Sequence, residues 1–263
     1  MKIIWMIWLA LILIFIYNYV QISRFYINKP VFHSNKISND LRITQISDYH
    51  ENSLIDKNRL LDKILNFNPH IIVLTGDIID SKTEDIDSVL MLIEEIYQIN
   101  KRVFFVIGNH ELRNVQRDRF ISKLREIGVI ILDNENTVLD INEYNINIIG
   151  LSFFASREDY KKVIKGIDIK NFTIILSHSP SRPISYVSGI EDLILSGHTH
   201  GGQVRLPLIG ALTVPGQGLL PEYDKGVFEL GDTILYIDSG LGNSVFPIRL
   251  FNRIQISNIT IRN

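Results

Sequence analysis

The chain has 263 residues, 46% of them hydrophobic, a formal charge of −2 and no cysteine. That supplies one large core with room for an appendage, and it excludes a disulfide framework or a thiolate metal site. No basic block stands out, so nucleic acid is not expected as a partner.

The N-terminus comes first. Ile3 to Tyr17 is uninterrupted apolar or aromatic, and Tyr19 and Val20 extend the run past Asn18. A helix of about eighteen residues spans roughly 27 Å, close to the ~30 Å of a bilayer core. Trp5 and Trp8 near one end, and Tyr17, Tyr19, Phe25 and Tyr26 near the other, match interfacial aromatic belts. A signal peptide would have a shorter apolar run and a small-residue cleavage pattern. Residues 1–22 are therefore expected to be a retained, single-pass anchor in the cell membrane. Lys2 precedes the run and Arg24, Lys29 and Lys36 follow it. That count favours a cytoplasmic domain, whereas a short N-terminal anchor favours export, so both sides stay open. Residues 23–39, polar and carrying Pro30, read as a juxtamembrane linker.

Residues 40–263 read as one α/β domain. Strands are expected at Leu41–Ser47, Ile71–Thr75 and Val103–Ile107, with helices at Lys57–Asn66, Glu84–Ile99 and Val115–Ile127, the last ending at Gly128. Short buried runs alternating with helical periodicity imply parallel strands. A hairpin follows at Thr137–Ile141 and Ile146–Leu151, then a short helix near Asp159–Lys165 and strands at Phe172–Leu176 and Asp192–Ser196. Beyond Gly197 the chain is strand and turn, at Val204–Val214, Gly226–Leu230, Thr233–Ile237 and Ile254–Ile261.

The chemistry lies at the strand exits. Asp48-Tyr49-His50, Gly76-Asp77-Ile78-Ile79-Asp80, Gly108-Asn109-His110-Glu111, His178 and Gly197-His198-Thr199-His200 each follow a short apolar run. Five of the seven histidines belong to this set; His33 and His70 read as solvated. In open α/β sheets, ligands gather outside the carboxyl ends of strands. Asp48 and His50 lie two apart on a segment expected to be extended, so both point the same way and clasp one ion; His198 and His200 repeat the logic. A carboxylate such as Asp77 can bridge two cations ~3.5–4 Å apart. Imidazole, carboxylate and amide oxygen suit Mn, Fe, Zn or Co. Asp-x-His alone is usually a surface accident, and Gly-Asp an ordinary turn. Five such elements in order, each at a strand exit, are not coincidence. Asp80 is expected to support Asp77 or its turn.

These residues resemble the calcineurin-like metallophosphoesterase superfamily, from about residue 40 to the C-terminus. Gly201-Gly202-Gln203-Val204-Arg205-Leu206-Pro207 and Pro247-Ile248-Arg249 further resemble a bacterial branch of membrane-tethered phosphodiesterases. The resemblance implies a four-layer sandwich of two mixed β-sheets flanked by helices, behind the N-terminal transmembrane helix. It implies two divalent metal ions (Mn, Zn or Fe). Asp48, His50, Asp77 and His200 would hold one; Asp77, Asn109, His178 and His198 would hold the other. His110, oriented by Glu111, would be catalytic, with Asn109 beside it. Two positions depart from the family pattern, which carries Asp at Ser181 and Arg at Ser239. The first bears on support for His178, the second on an anion contact.

The expected activity is hydrolysis of phosphodiester or pyrophosphate bonds. A bridging hydroxide, formed as the cations lower the pKa of water from ~15.7 toward ~7, attacks phosphorus. Asn109 helps stabilise the non-bridging oxygens, and His110 protonates the leaving group. An anchor near head groups points to a lipid-linked or cell-envelope phosphoester as substrate. A soluble-nucleotide phosphodiesterase is the second enzymatic reading. A metal-binding membrane scaffold without turnover is the rival, and the presence of His110 and every ligand speaks against it.

Overall fold

Period-two alternation within the short apolar runs decides the layering. In strand Ile71–Leu74, Ile71 and Val73 enter one core while Ile72 and Leu74 enter another. Ile174 and Leu176 are likewise separated from Ile175, and Leu193 and Leu195 from Ile194. A strand apolar on both faces must be covered on both, and two such sheets stacked together need helices outside each.

The computed structural model describes residues 1–141, 143–244 and 246–263. Helix α1 (Lys2–Ser23) leads into β1 (Tyr26–Asn28), β2 (Val31–His33) and β3 (Leu41–Ile46). Next come α2 (Lys57–Phe67), β4 (Ile71–Leu74), α3 (Asp87–Ile99), β5 (Val103–Phe105), α4 (Asn109–Arg113), α5 (Arg117–Ile127) and β6 (Ile130–Ile131). The second half runs β7 (Glu135–Ile141), β8 (Tyr144–Leu151), α6 (Arg157–Val163), β9 (Phe172–Ser177), α7 (Ser181–Tyr186) and β10 (Leu193–Ser196). After four two-residue strands, β11 (Arg205–Leu206), β12 (Gly210–Ala211), β13 (Thr213–Val214) and β14 (Gly218–Leu219), it ends with β15 (Gly226–Leu230), β16 (Thr233–Ile237) and β17 (Gln255–Arg262).

One mixed sheet has the order β1-β17-β3-β4-β5-β6, with β2 also on β17; the other has the order β15-β16-β10-β9-β8-β7. Their inner faces share a core that includes Leu41, Val73, Phe104, Ile148, Leu176 and Leu195. Helices α2, α3 and α5 cover the first sheet through Leu60, Ile64, Ile93 and Phe120, and α6 covers the second through Tyr160 and Val163. This is the four-layer α/β sandwich expected. Strands β3 to β6 run parallel, as do β8, β9 and β10, so their carboxyl ends meet at one rim.

One expectation needs correcting. Residues 23–39 are not a free linker: β1 and β2 both pair parallel with β17, because Phe25, Phe32 and Ile37 supply apolar side chains that the domain buries. The strand-and-turn stretch expected from Val204 takes the form of two tight hairpins, β11–β12 and β13–β14, with Pro207 to Gly210 turning the chain back in the first. α1 is bare from Lys2 to Phe15 and Ile16, then grips the domain at its last turns. Asn18 Nδ2 donates to Pro247 O at 2.9 Å, Ile254 N to Gln21 O at 3.0 Å and Asn52 Nδ2 to Ile22 O at 3.0 Å.

Candidate metal centre

Strand β3 ends just before Asp48, β4 before Asp77, β5 before Asn109, β9 before His178 and β10 before His198. All the residues anticipated at strand exits therefore arrive at one rim, where the two sheets abut. Asp48, Asp77, Asn109, Glu111, His178 and His200 are buried.

Two clusters form. In one, His50 Nε2 lies 3.2 Å from His200 Nε2, and His200 Nε2 lies 3.5 Å from Asp48 Oδ1. In the other, His178 Nε2 lies 3.0 Å from Asp77 Oδ2, 3.1 Å from His198 Nδ1 and 3.2 Å from Asn109 Oδ1. Asp77 Oδ2 is also 3.8 Å from His50 Nε2, so one carboxylate oxygen faces both sets. Lone-pair atoms packed this closely repel one another unless protons or cations lie among them, and the donor set of imidazole, carboxylate and amide oxygen fits borderline divalent cations. The far sides of two of these rings, His178 and His50, are oriented as ligand histidines usually are, whereas His200 Nδ1 faces Arg249 Nη2 at 3.4 Å. His178 Nδ1 meets Thr75 O at 2.8 Å, and His50 Nδ1 meets Asp80 Oδ2 at 3.3 Å.

The convergence is not achieved as the spacing predicted. Asp48, His50, Asp77, His198 and His200 have φ of 48°, 45°, 52°, 69° and 50°, all left-handed rather than extended. Asp48 and His50 therefore meet because the backbone turns, not because a strand alternates, while His198 and His200, expected to clasp one ion together, part instead: His198 joins Asp77 and His178, and His200 joins Asp48 and His50. Such conformations are uncommon outside glycine, and they collect at functional sites where surrounding structure holds them. Here the hold is backbone pairing: Asp48 N donates to Gly76 O and His50 N to Asp77 O, both at 3.0 Å. Gly76, with φ of +83°, leaves no room for a side chain, since a Cβ there would stand 2.7 Å from His178 Nδ1.

Glu111 does not act where it was expected. Its Oε1 accepts from Ile78 N at 2.6 Å and Ile79 N at 3.1 Å, and its Oε2 from Asp77 N and Gly108 N, both at 2.8 Å. It fixes the loop that presents Asp77. The carboxylate beside His110 is Asp80, 3.0 Å from His110 Nδ1, so Asp80 serves His50 and His110 together. Its place three residues past Asp77 was the only signal in the chain. His178 Nδ1 has Thr75 O as its partner, and Ser181 opens α7 with its N–H on Ser179 Oγ at 3.4 Å. Near Ser239, the fully buried Arg249 donates from Nη2 to Ser239 O and Gly242 O at 2.7 Å.

Charge is divided unevenly. Burial opposes a charged His178, but the charge and hydrogen bond of Asp77, with Asp48, raise it to about 10. Against its own burial, Asp77 is held far below the usual carboxylate range by His178, His50 and His110. Burial and the charge of His178 push His198 down to about 3, and burial, His50 and Arg249 push His200 down. Burial and Asp77 raise Glu111 to about 7. A cleft of about 310 Å³ opens over the centre, walled by Asn109, His110, His198 and His200 together with Arg113, Phe153, Pro215 and Ser244. Sequence reading missed those last four. The Phe153 ring lies 5.5 Å from that of His198, and Arg113, on α4, offers a cation to the cleft. His70, placed outside the set, stays outside it, with Nδ1 accepting from Arg42 N at 3.1 Å.

A profile of calcineurin-like phosphoesterases matches residues 41–202. An uncharacterized metallophosphoesterase of Bacillus subtilis, YkuE, is 28% identical over 84% of this chain and 79% of its own. An uncharacterized metallophosphoesterase of Aquifex aeolicus is 27% identical over 94% and 95%. A transmembrane protein with metallophosphoesterase domain from Danio rerio is 25% identical over 85% of this chain and 54% of its own. Among solved structures, Haemophilus influenzae NAD nucleotidase superposes with TM-score 0.54 at 16% identity, covering 77% of this chain and 45% of its own. A 5'-nucleotidase precursor of Thermus thermophilus gives 0.51 at 12%, covering 84% and 54%. The chain thus spans about half the length of these two nucleotidases, and the likeness to them is one of fold. A profile match over most of the domain, ending just past the last of the clustered histidines, makes this chain a member of the calcineurin-like phosphoesterase family and a metal-dependent phosphoesterase.

Proposed function

We propose that this chain is a membrane-anchored hydrolase of phosphodiester or pyrophosphate bonds that acts on a lipid or cell-envelope phosphate, with α1 as anchor and residues 40–263 as catalytic domain. The observation that carries the reading is Asp77 Oδ2, which faces His178 and His50 at once and so joins the two donor clusters. Asp48, His50 and His200 would hold one divalent cation; Asn109, His178 and His198 would hold the other; Asp77 would serve both. Manganese, iron and zinc all suit these donors. Bound there, the cations would supply Lewis-acid charge and lower the pKa of the attacking water toward neutrality.

The protein's own groups do the rest. His110 stands at the wall of the cleft and protonates the leaving oxygen, while Asp80 at its Nδ1 steadies the positive ring. Arg113 and the Asn109 amide meet the non-bridging oxygens of the phosphate. Phe153 covers His178 and His198 and keeps bulk water from them. The lipid assignment is supported by α1, which is long and apolar enough to cross a bilayer, and by the transmembrane relative in Danio rerio.

Hydrolysis of bis-p-nitrophenyl phosphate by the full-length protein, with added Mn²⁺ and after chelation, tests the reading. Turnover that depends on metal, at two cations per chain, is expected. Two tightly held cations without any phosphoester hydrolysis would leave a scaffold instead.

A further inference from the structure

Exposed apolar side chains gather where the domain meets α1. Leu208, Ile209, Leu219, Leu220, Phe246 and Phe251 all stand more than half exposed, Leu208 and Leu219 almost entirely so. Their loops form one continuous layer. Leu250 N donates to Gln203 O at 3.0 Å, Leu212 N to Val204 O at 3.2 Å and Leu220 N to Leu212 O at 2.9 Å. That layer is fastened to α1: Arg249 N donates to Asn18 Oδ1 at 2.9 Å, and Phe251 N to Tyr17 OH at 3.0 Å. Between the two runs a groove of about 400 Å³, lined by Leu11, Ile14 and Phe15 on one side and Val204, Ile248 and Leu250 on the other. Leu11 to Asn18 is roughly 10 Å of helix. The domain therefore reaches along the apolar stretch of α1 by that much, the depth at which interfacial segments settle in a bilayer.

Charge agrees with that placement. At the domain end of α1, Arg253 donates to Phe25 O at 3.4 Å and also contacts Arg24 O, and Arg59 lies 5.1 Å from the Phe25 ring. With Arg24, which lines a pocket there together with Arg59, these residues bring three guanidiniums that match a layer of anionic head groups. The same loops also reach the chemistry. A second cavity of about 260 Å³, walled by Gln203, Thr213 and Val214, shares His200, Pro215 and Ser244 with the metal cleft.

We propose that the loops at 203–221 and 246–251 are a membrane-docking surface, seating the mouth of the metal cleft in the head-group layer of the leaflet that α1 enters. The substrate phosphate then arrives from that leaflet as the head group of an amphiphile. The inference rests on the reading of α1 as an anchor, and the test separates the two.

The chain has no cysteine, so Leu208→Cys, Leu219→Cys and Phe246→Cys can each carry an environment-sensitive fluorophore in the full-length protein. Reconstitution is in phosphatidylethanolamine–phosphatidylglycerol vesicles containing doxyl-labelled phosphatidylcholine. Leu13→Cys reports on the anchor, and Ile169→Cys, an exposed site before the amino end of β9 and so away from the rim, is the control. All five positions are exposed, so wild-type thermal unfolding is expected of each variant. Labels at 208, 219 and 246 should be quenched most by doxyl groups near the head groups, the label at 13 by deeper ones, and the label at 169 by neither. Quenching at 13 with 208, 219 and 246 behaving like 169 overturns the docking surface and leaves the anchor. Quenching at the loops without quenching at 13 keeps the docking surface and removes the anchor. No quenching at either removes both.

Discussion

Replacing Glu111 by Gln separates the role expected from the motif from the one the fold assigns. The carboxylate is fully buried and accepts four backbone N–H groups, two on each oxygen. An amide keeps one acceptor and turns an NH₂ against two of those donors. Hydrogen bonds to a charged group contribute about 1.5–3 kcal/mol each, so Glu111→Gln should cost about 3–6 kcal/mol. That is a large share of the 5–15 kcal/mol typical of a folded domain. At about 2–4 °C per kcal/mol for a chain of this size, the melting temperature should fall by about 6–24 °C. The freed loop also carries Asp77, so metal content should drop below two per chain. The assay is thermal unfolding and metal analysis side by side near pH 8, above the value of about 7 to which burial and Asp77 push this carboxyl. A variant that melts like wild type, holds two cations and loses only turnover would refute this reasoning and return Glu111 to His110.

His110→Ala should keep metal stoichiometry but lose ~10²–10⁴ in turnover of a dialkyl phosphodiester, whose alkoxide must be protonated as it leaves; unchanged kcat on that substrate would remove His110 from the chemistry. Asp77→Asn should weaken both cations together, read as metal content after dialysis, and full retention of two would argue against a shared carboxylate. The buried Asp238 carboxyl, pushed up by burial to about 6 from an ordinary 3.8, favours its neutral form in the fold. Its contribution to stability is full below about pH 4 and is lost as pH rises through 6, an effect of about 3 kcal/mol at most. Asp238→Asn should therefore flatten the stability profile between pH 4 and 6 relative to wild type, as followed by urea unfolding; parallel profiles would show that Asp238 does not titrate there.

Much of the frame is legible in the order of the residues. Runs such as Ile71–Leu74 and Phe172–Ser177, apolar on both faces, announce covered strands, and amphipathic runs between them announce the helices. Because the metal-binding residue types follow those runs directly, their convergence at one rim follows from the parallel topology. Less is legible in the connections. Segments 23–39 and 204–214 are polar enough, or turn-rich enough, to look unstructured or uniform, and only pairing with distant partners shapes them. β17 decides where β1 and β2 lie, though more than two hundred residues separate them.

Which carboxylate serves which group is beyond the sequence altogether. The family resemblance offers Glu111 to its neighbour His110, but in space Asp80 takes that place and Glu111 turns to the Asp77 loop. The amino-acid order by itself determined the kind of chemistry, because imidazole and carboxylate donors at strand exits have few other uses. Tertiary structure alone decided the geometry, because backbone hydrogen bonds between loops hold Asp48, His50, Asp77, His198 and His200 in left-handed conformations that no local preference would select.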